Sequence, residues 1–150
     1  MSLVAHAIQA VSIVPVLYPL YGRYAFVFAA AVCLIDLDHY IEYVYVTRCF
    51  DIKGMIKVHD LALNNMHGLI GLNIFHTFEC YLPLLFLGFW HKIFFFVLGG
   101  FLFHHLFDQI ALIKMGYPFA RAFSILEYYW RRPYYTTLGD LIRRTLLKSE

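Results

Sequence analysis

Charge is what this chain has least of. Asp, Glu, Lys and Arg make up 15% of its 150 residues, against about a quarter in soluble domains. A small fold leaves much of its area outside, so a chain of this length has no interior able to hide the apolar surface that remains. A water-soluble fold is thereby excluded. The net charge of +2 offers no electrostatic footprint for nucleic acid. Three cysteines, Cys33, Cys49 and Cys80, contain no Cys-x-x-Cys pair, which argues against a thiolate zinc site and a disulfide framework. Missing too are a Gly-Lys-Ser/Thr phosphate loop, a Gly-rich dinucleotide fingerprint and a nucleophile elbow. No basic region precedes the first apolar run, so that run is expected to stay as a helix and not to be a cleaved signal peptide.

What is present is hydrocarbon. The chain is 61% hydrophobic and 19% aromatic, with a mean hydropathy of +0.64. A bilayer core takes about 20 apolar residues per helix, and four stretches qualify: residues 3–21, 23–46, 67–90 and 93–114. Pro15 and Pro19 predict that the first is kinked or ends early. Gly22-Arg23 and His91-Lys92 read as tight turns between paired helices. Residues 47–66 read as a surface loop or a short interfacial helix. From residue 117 the composition changes: Tyr128, Tyr129, Trp130, Tyr134 and Tyr135 interleave with Arg131, Arg132, Arg143 and Arg144, a headgroup-layer pattern. The expected fold is therefore all-α, a single membrane domain over residues 1–150. Residues 1–116 form a bundle of about four transmembrane helices and residues 117–150 a tail of membrane-surface amphipathic helices.

Four spans place both termini and the middle loop on one side. That side carries ten basic residues (Arg48, Lys53, Lys57, Lys114, Arg121, Arg131, Arg132, Arg143, Arg144 and Lys148), against Arg23 and Lys92 on the other. The positive-inside rule makes the ten-charge side cytoplasmic. The expected location is the inner or plasma membrane of the cell, with both termini in the cytoplasm.

Into this apolar chain are set three ionisable clusters: Asp36-Leu37-Asp38-His39, His76-Thr77-Phe78-Glu79 and His104-His105-Leu106-Phe107-Asp108. Each lies within about ten residues of the cytoplasmic end of its span, so at about 1.5 Å per residue they share one layer about 10–15 Å deep. His6 enters the first span from the same side, somewhat shallower. His104 and Asp108 are four apart on one helix face, and His76 and Glu79 are three apart. Asp36 and Asp38 are two apart and reach one centre only if the helix breaks or begins there, a role that suits Asp as an N-cap.

Ionisable groups inside membranes turn inward, pair, and mark functional sites. A divalent cation would neutralise the carboxylates and take the imidazoles as ligands. Nitrogen and oxygen donors without thiolate suit zinc, with manganese or iron as alternatives. The candidate ligands are His6, Asp36, Asp38, His39, His76, Glu79, His104 and Asp108. They are too many for one tetrahedral ion, so two or three are expected. The chemistry is then metal-activated water attacking a polarised ester, with Asp36, Asp38 and Glu79 as catalytic carboxylates. Taken alone, His105 reads as a helix-to-helix hydrogen bonder, His59, His67 and His91 as interface residues, and Glu42 as a residue behind the site or a headgroup contact.

These residues resemble the bacterial and archaeal membrane-bound metal-dependent hydrolases, a family thought to be distantly similar to zinc-dependent phospholipase C and single-strand nucleases. Its pattern is an early His, an Asp-x-Asp-His motif, a middle His and a late His-x-x-x-Asp. His6, Asp36-Leu37-Asp38-His39, His76 with Thr77, and His104 to Asp108 match in that order, over roughly residues 6 to 119. Two departures stand out. Ile35 replaces the Pro that usually precedes the first Asp, and Leu72-Asn73-Ile74-Phe75 replaces an Arg-Gly-x-Thr, which removes a phosphate-facing Arg. Glu79 is similar to the His-and-Glu ligand pairing of the phospholipase relatives, at three residues' spacing instead of four. The resemblance implies a hydrolase acting on a phospholipid or lipid-linked phosphoester, with membrane lipids as its surroundings. Two competing functions are a redox protein holding haem or a di-iron centre and an ion or proton carrier. A bis-His haem has no use for the Asp36 and Asp38 carboxylates, and four spans without a repeat argue against a carrier.

Overall fold

The computed structural model describes residues 3–146; Lys148 of the basic count and the last residues of the tail lie outside the described residues. Four long apolar segments make the bundle. Helix α1 (Leu3–Tyr21) turns at Gly22 into α2 (Tyr24–Leu34), which continues across a break into α3 (Leu37–Thr47). Helix α4 (Ile52–Asn64) follows, then α5 (Phe78–Trp90) and α6 (Ile93–Lys114). Three segments are long and apolar enough to cross a bilayer: Val4–Tyr21, Tyr24–Thr47 and Ile93–Lys114; Phe78–Trp90 is a shorter apolar helix. The protein is an all-α membrane bundle. Large apolar side chains such as Val11, Leu20, Phe86 and Trp90 stand exposed on its outside, a surface that lipid covers.

The helices pack in the order α1 on α2, α2 on α6 and α6 on α5. The turn after α1 needs φ +56° at Gly22, a conformation glycine adopts without a Cβ penalty. Gly100 has the opposite reason: a Cβ there would lie 2.6 Å from the Phe28 carbonyl oxygen. Its absence lets α2 and α6 approach closely, as small residues do between membrane helices. Ala31, Ile35, Tyr81, Leu98 and Phe101 form the adjoining core.

The architecture departs from the sequence reading before α5. Helix α1 itself runs through Pro15 and Pro19 to Tyr21. The third span does not begin at residue 67. Residues 67–77 form an irregular segment containing strand β1 (Leu69–Ile70) and a 3-10 turn (Ile74–His76), and helix begins only at Phe78. Non-helical backbone is tolerated at membrane depth where protein satisfies it. Here β1 pairs in parallel with strand β2 (Thr136–Thr137), and Gly71 bridges the segment around Arg121. The tail carries the helices α7 (Ile125–Arg131) and α8 (Leu138–Leu146), with β2 between them. Residues 47–66 resolve into the helix α4, capped where the Asp51 carboxylate accepts from the Gly54 N–H.

Candidate metal centre

The helix break expected at Asp36 is present although Ile35 stands where a proline would force it. Helix α2 stops at Leu34 and α3 starts at Leu37. Across the break the His39 N–H reaches back only three residues, to the Asp36 carbonyl, at 3.1 Å. The Asp36 side chain does not cap α3; it turns inward. Four elements meet there: His6 from α1, Asp36 from the break, His76 from the 3-10 turn, and His104 with Asp108 from α6. All five residues are buried to 9% exposure or less.

The hydrogen-bond partners of the two central imidazoles set which nitrogen each turns to the cluster. The His104 Nδ1 lies 2.8 Å from the Val32 carbonyl oxygen, which only accepts, so Nδ1 carries a hydrogen and Nε2 is the nitrogen turned to the cluster. That Nε2 faces Asp36 Oδ1 at 3.3 Å and Asp108 Oδ2 at 3.4 Å. The His76 Nδ1 lies 3.1 Å from Asp38 Oδ2, a carboxylate that also accepts from the Phe75 N–H at 3.2 Å. His76 Nε2 then points to Asp108 Oδ2 at 3.9 Å. Both Nε2 atoms are buried without a hydrogen-bond partner. The two Nε2 atoms and the Asp36 and Asp108 carboxylates thus converge in a buried space with the Arg121 guanidinium at its edge, an arrangement that a cation among them would stabilise.

The spacing fits such a cation. Ligand atoms about 2.0–2.1 Å from a tetrahedral zinc lie about 3.4 Å from one another. One ligand atom each from Asp36, His76, His104 and Asp108 falls within 4.8 Å of the others. A buried His/Asp cluster able to hold a metal ion is therefore present. Among the described residues it is the one group of this kind.

The remaining expected residues surround or miss it. Asp38 stands behind His76 and orients it, the arrangement in which a carboxylate fixes the tautomer of a ligating imidazole. His6 stacks on His104 at 3.8 Å between ring centroids, with its Nε2 3.1 Å from Asp108 Oδ1. His39 Nε2 is 3.6 Å from Asp36 Oδ1, and Asn73 holds its Nδ1 at 3.0 Å. Glu79 is elsewhere: it is exposed and accepts from the Ile125 N–H at 3.0 Å, fastening α7 to the start of α5. His105 packs against the rings of His76, Tyr81 and Phe123, and His67 lies beside Tyr117.

No protein-family model, curated protein or solved structure matches this chain.

Arg121 was not singled out by motif or spacing, yet it touches the cluster. Its Nη1 donates to Asp108 Oδ2 at 2.8 Å. The backbone explains the placement: Gly71 N–H donates to Ala120 O, and Ala122 N–H to Gly71 O, which lays residue 121 alongside the segment leading to His76. A guanidinium thus stands at the site although Leu72-Asn73-Ile74-Phe75 carries none. Only its position among surface arginines was legible beforehand.

A narrow cleft opens beside the cluster, about 60 Å³ in volume. His39, Glu42, Asn73, Asp108 and Arg121 line it, and α4 contributes Met55, Val58, Ala62 and Leu63. His59 also lines it, its ring 5.3 Å from that of His39. Burial pushes the His59 imidazole below its usual range, so it faces the cleft uncharged at neutral pH.

Proposed function

We propose that this protein is an integral-membrane, metal-dependent hydrolase of a phosphoester carried by a lipid or lipid-linked substrate. The observation that carries the reading is the convergence of two donor-pinned imidazoles and two aspartates beside a cleft lined by Arg121. Zinc is the metal that two nitrogens and two oxygens favour, with manganese or iron next. A bound ion of this kind supplies an acidified water and a Lewis-acid contact to a phosphoryl oxygen. The four-residue cluster accounts for one ion; the expectation of two or three rests on His6 and His39 at its flanks.

The chain's own residues divide the remaining work. Of the three carboxylates expected to be catalytic, Asp38 is engaged with His76 and Glu79 with Ile125, which leaves Asp36 at the cluster. His39 bridges Asp36 and the cleft, with Asn73 holding its far nitrogen, and is placed to pass a proton between them. Arg121 neutralises Asp108 and presents positive charge where a phosphate would enter. The basic side of the bundle is read as cytoplasmic and the bilayer as the cell's inner or plasma membrane. The site then lies beneath the inner headgroup layer.

The test is elemental analysis of protein purified without chelator, coupled to phosphoester hydrolysis. Stoichiometric zinc or manganese in the wild type, lost together with activity in His104→Ala, is the expected result. A metal-free protein that hydrolyses phosphoesters would overturn the metal mechanism, and a Soret band in the pure protein would transfer the histidines to haem.

A further inference from the structure

A second and larger cavity, about 530 Å³, lies between α3, the segment leading to His76, and the tail. We propose that it binds the head group of a membrane lipid that carries both a phosphate and a primary amine. Arg121 does not line this cavity, so the site is separate from the phosphoester chemistry above and holds whether or not the cluster hydrolyses anything.

The volume falls within the range of about 300–1,000 Å³ usual for ligand pockets, and charge of both signs lines it. Arg132, just past α7, and Arg143 of α8 border the cavity and are exposed. Neither guanidinium makes a hydrogen bond or an ion pair among the described residues, and a phosphate is the group such a pair recognises. Asp140 lines the cavity too, but its carboxylate serves Thr137. On α3, Asp38 and Glu42 are four residues apart, on one helix face, and both line the cavity. Asp38 is 6% exposed and its Oδ2 accepts from the Phe75 N–H and meets His76. Its Oδ1 and the Glu42 Oε2 are buried without any hydrogen-bond partner, a costly state for a carboxylate oxygen. A primary ammonium brings positive charge and three donors and answers both; a quaternary ammonium has no donor to give.

Depth orders these charges. Glu42 lies five residues inside Thr47, the end of α3, about 8 Å down at about 1.5 Å per residue, whereas the arginines stand on the tail. The remaining edge is apolar and open: Ile41, Tyr45 and Ile74 line the cavity and are 51%, 71% and 50% exposed. Ile41 and Tyr45 belong to a membrane-spanning segment, so that edge faces lipid. A free polar metabolite has no use for such an edge. A lipid enters through it, leaving its chains in the bilayer while the amine turns inward to α3 and the phosphate stays with Arg132 and Arg143.

The test offers the protein, as purified in detergent, equimolar phosphatidylethanolamine, its N-methyl and N,N-dimethyl forms, phosphatidylcholine and phosphatidylglycerol, and counts retained lipid by native mass spectrometry. One phosphatidylethanolamine per chain is expected, favoured at least about tenfold over phosphatidylcholine and phosphatidylglycerol, the effect of a charge-assisted hydrogen bond. Retention should fall with each added methyl group, a series that needs no variant. Glu42→Gln should erase the preference for the amine. Arg132→Gln with Arg143→Gln should weaken all five lipids alike, while Lys53→Gln with Arg144→Gln, two exposed charges that do not line the cavity, should change nothing. Equal retention of the five lipids by the wild type, or a preference for phosphatidylglycerol, would overturn the inference. Displacement of the lipid by an equal concentration of soluble O-phosphoethanolamine would also overturn it, by making the free head-group compound the ligand.

Discussion

Each central histidine has one nitrogen assigned by its neighbours, and that assignment separates ligands from supports. His104 is pinned by the Val32 carbonyl and His76 by Asp38. Removing a ligand and removing a support should therefore differ. His104→Ala should abolish tight metal binding. Asp38→Asn should keep the metal but weaken it about 10- to 100-fold, the usual effect of losing a partner behind a ligand. Competition with a calibrated chelator measures both, and equal losses would make Asp38 a ligand. Glu79→Gln should leave metal affinity unchanged, since its carboxylate serves Ile125.

Among elements, the α2–α6 contact and the α8 cap carry the clearest consequences. A Cβ at Gly100 would press on the Phe28 carbonyl, a backbone atom that cannot rotate away. Gly100→Ala should lower stability by about 1–3 kcal/mol, the range for overpacking, read as reduced thermal stability in detergent. At the start of α8 the Asp140 carboxylate accepts from the Thr137 hydroxyl at 2.6 Å and from its N–H at 3.2 Å. These bonds, the hydroxyl foremost, hold the Asp140 carboxyl below its ordinary range. A depressed carboxyl stabilises the folded cap above the ordinary carboxylate range and loses that contribution as pH falls through the lowered value. Amide exchange across residues 138–146 should accordingly stay slow until strongly acidic pH. Thr137→Val should move the onset upward, and an onset at the same pH in both proteins would contradict the cap.

For the molecule as a whole, a ligand that binds only the folded state stabilises it by mass action. Metal at about a thousand times its Kd adds about 4 kcal/mol, because the cluster draws on α1, the α2–α3 break, the turn before α5 and α6. Chelation should lower the unfolding temperature of the entire bundle, and zinc should restore it. A melting curve indifferent to chelator would leave His104 to bridge Asp36 and Asp108 as an imidazolium. Topology is the second whole-molecule prediction: a reporter fused after Glu150 should be active only if it functions in the cytoplasm. Activity confined to the other side would invert the reading of the basic residues.

Some of this was decided by local properties of the chain. Hydropathy over about 20 residues marked the membrane segments, and the turns at Gly22-Arg23 and His91-Lys92 were legible because only they interrupt long apolar runs. Depth follows from counting residues along a helix, which is why His6, Asp36, His76, His104 and Asp108 were all among the candidates. Direction does not follow from counting. His76 was counted along a helix that does not exist there; the 3-10 turn and the bridge from Gly71 to Arg121 aim it at the cluster, and both depend on segments distant in sequence. The path of that segment also leaves Glu79 facing α7, and it brings in Arg121, whose place no spacing rule could supply. Helical periodicity states which residues share a face, and only the packing of α1, α2, α6 and the irregular segment decides what that face meets.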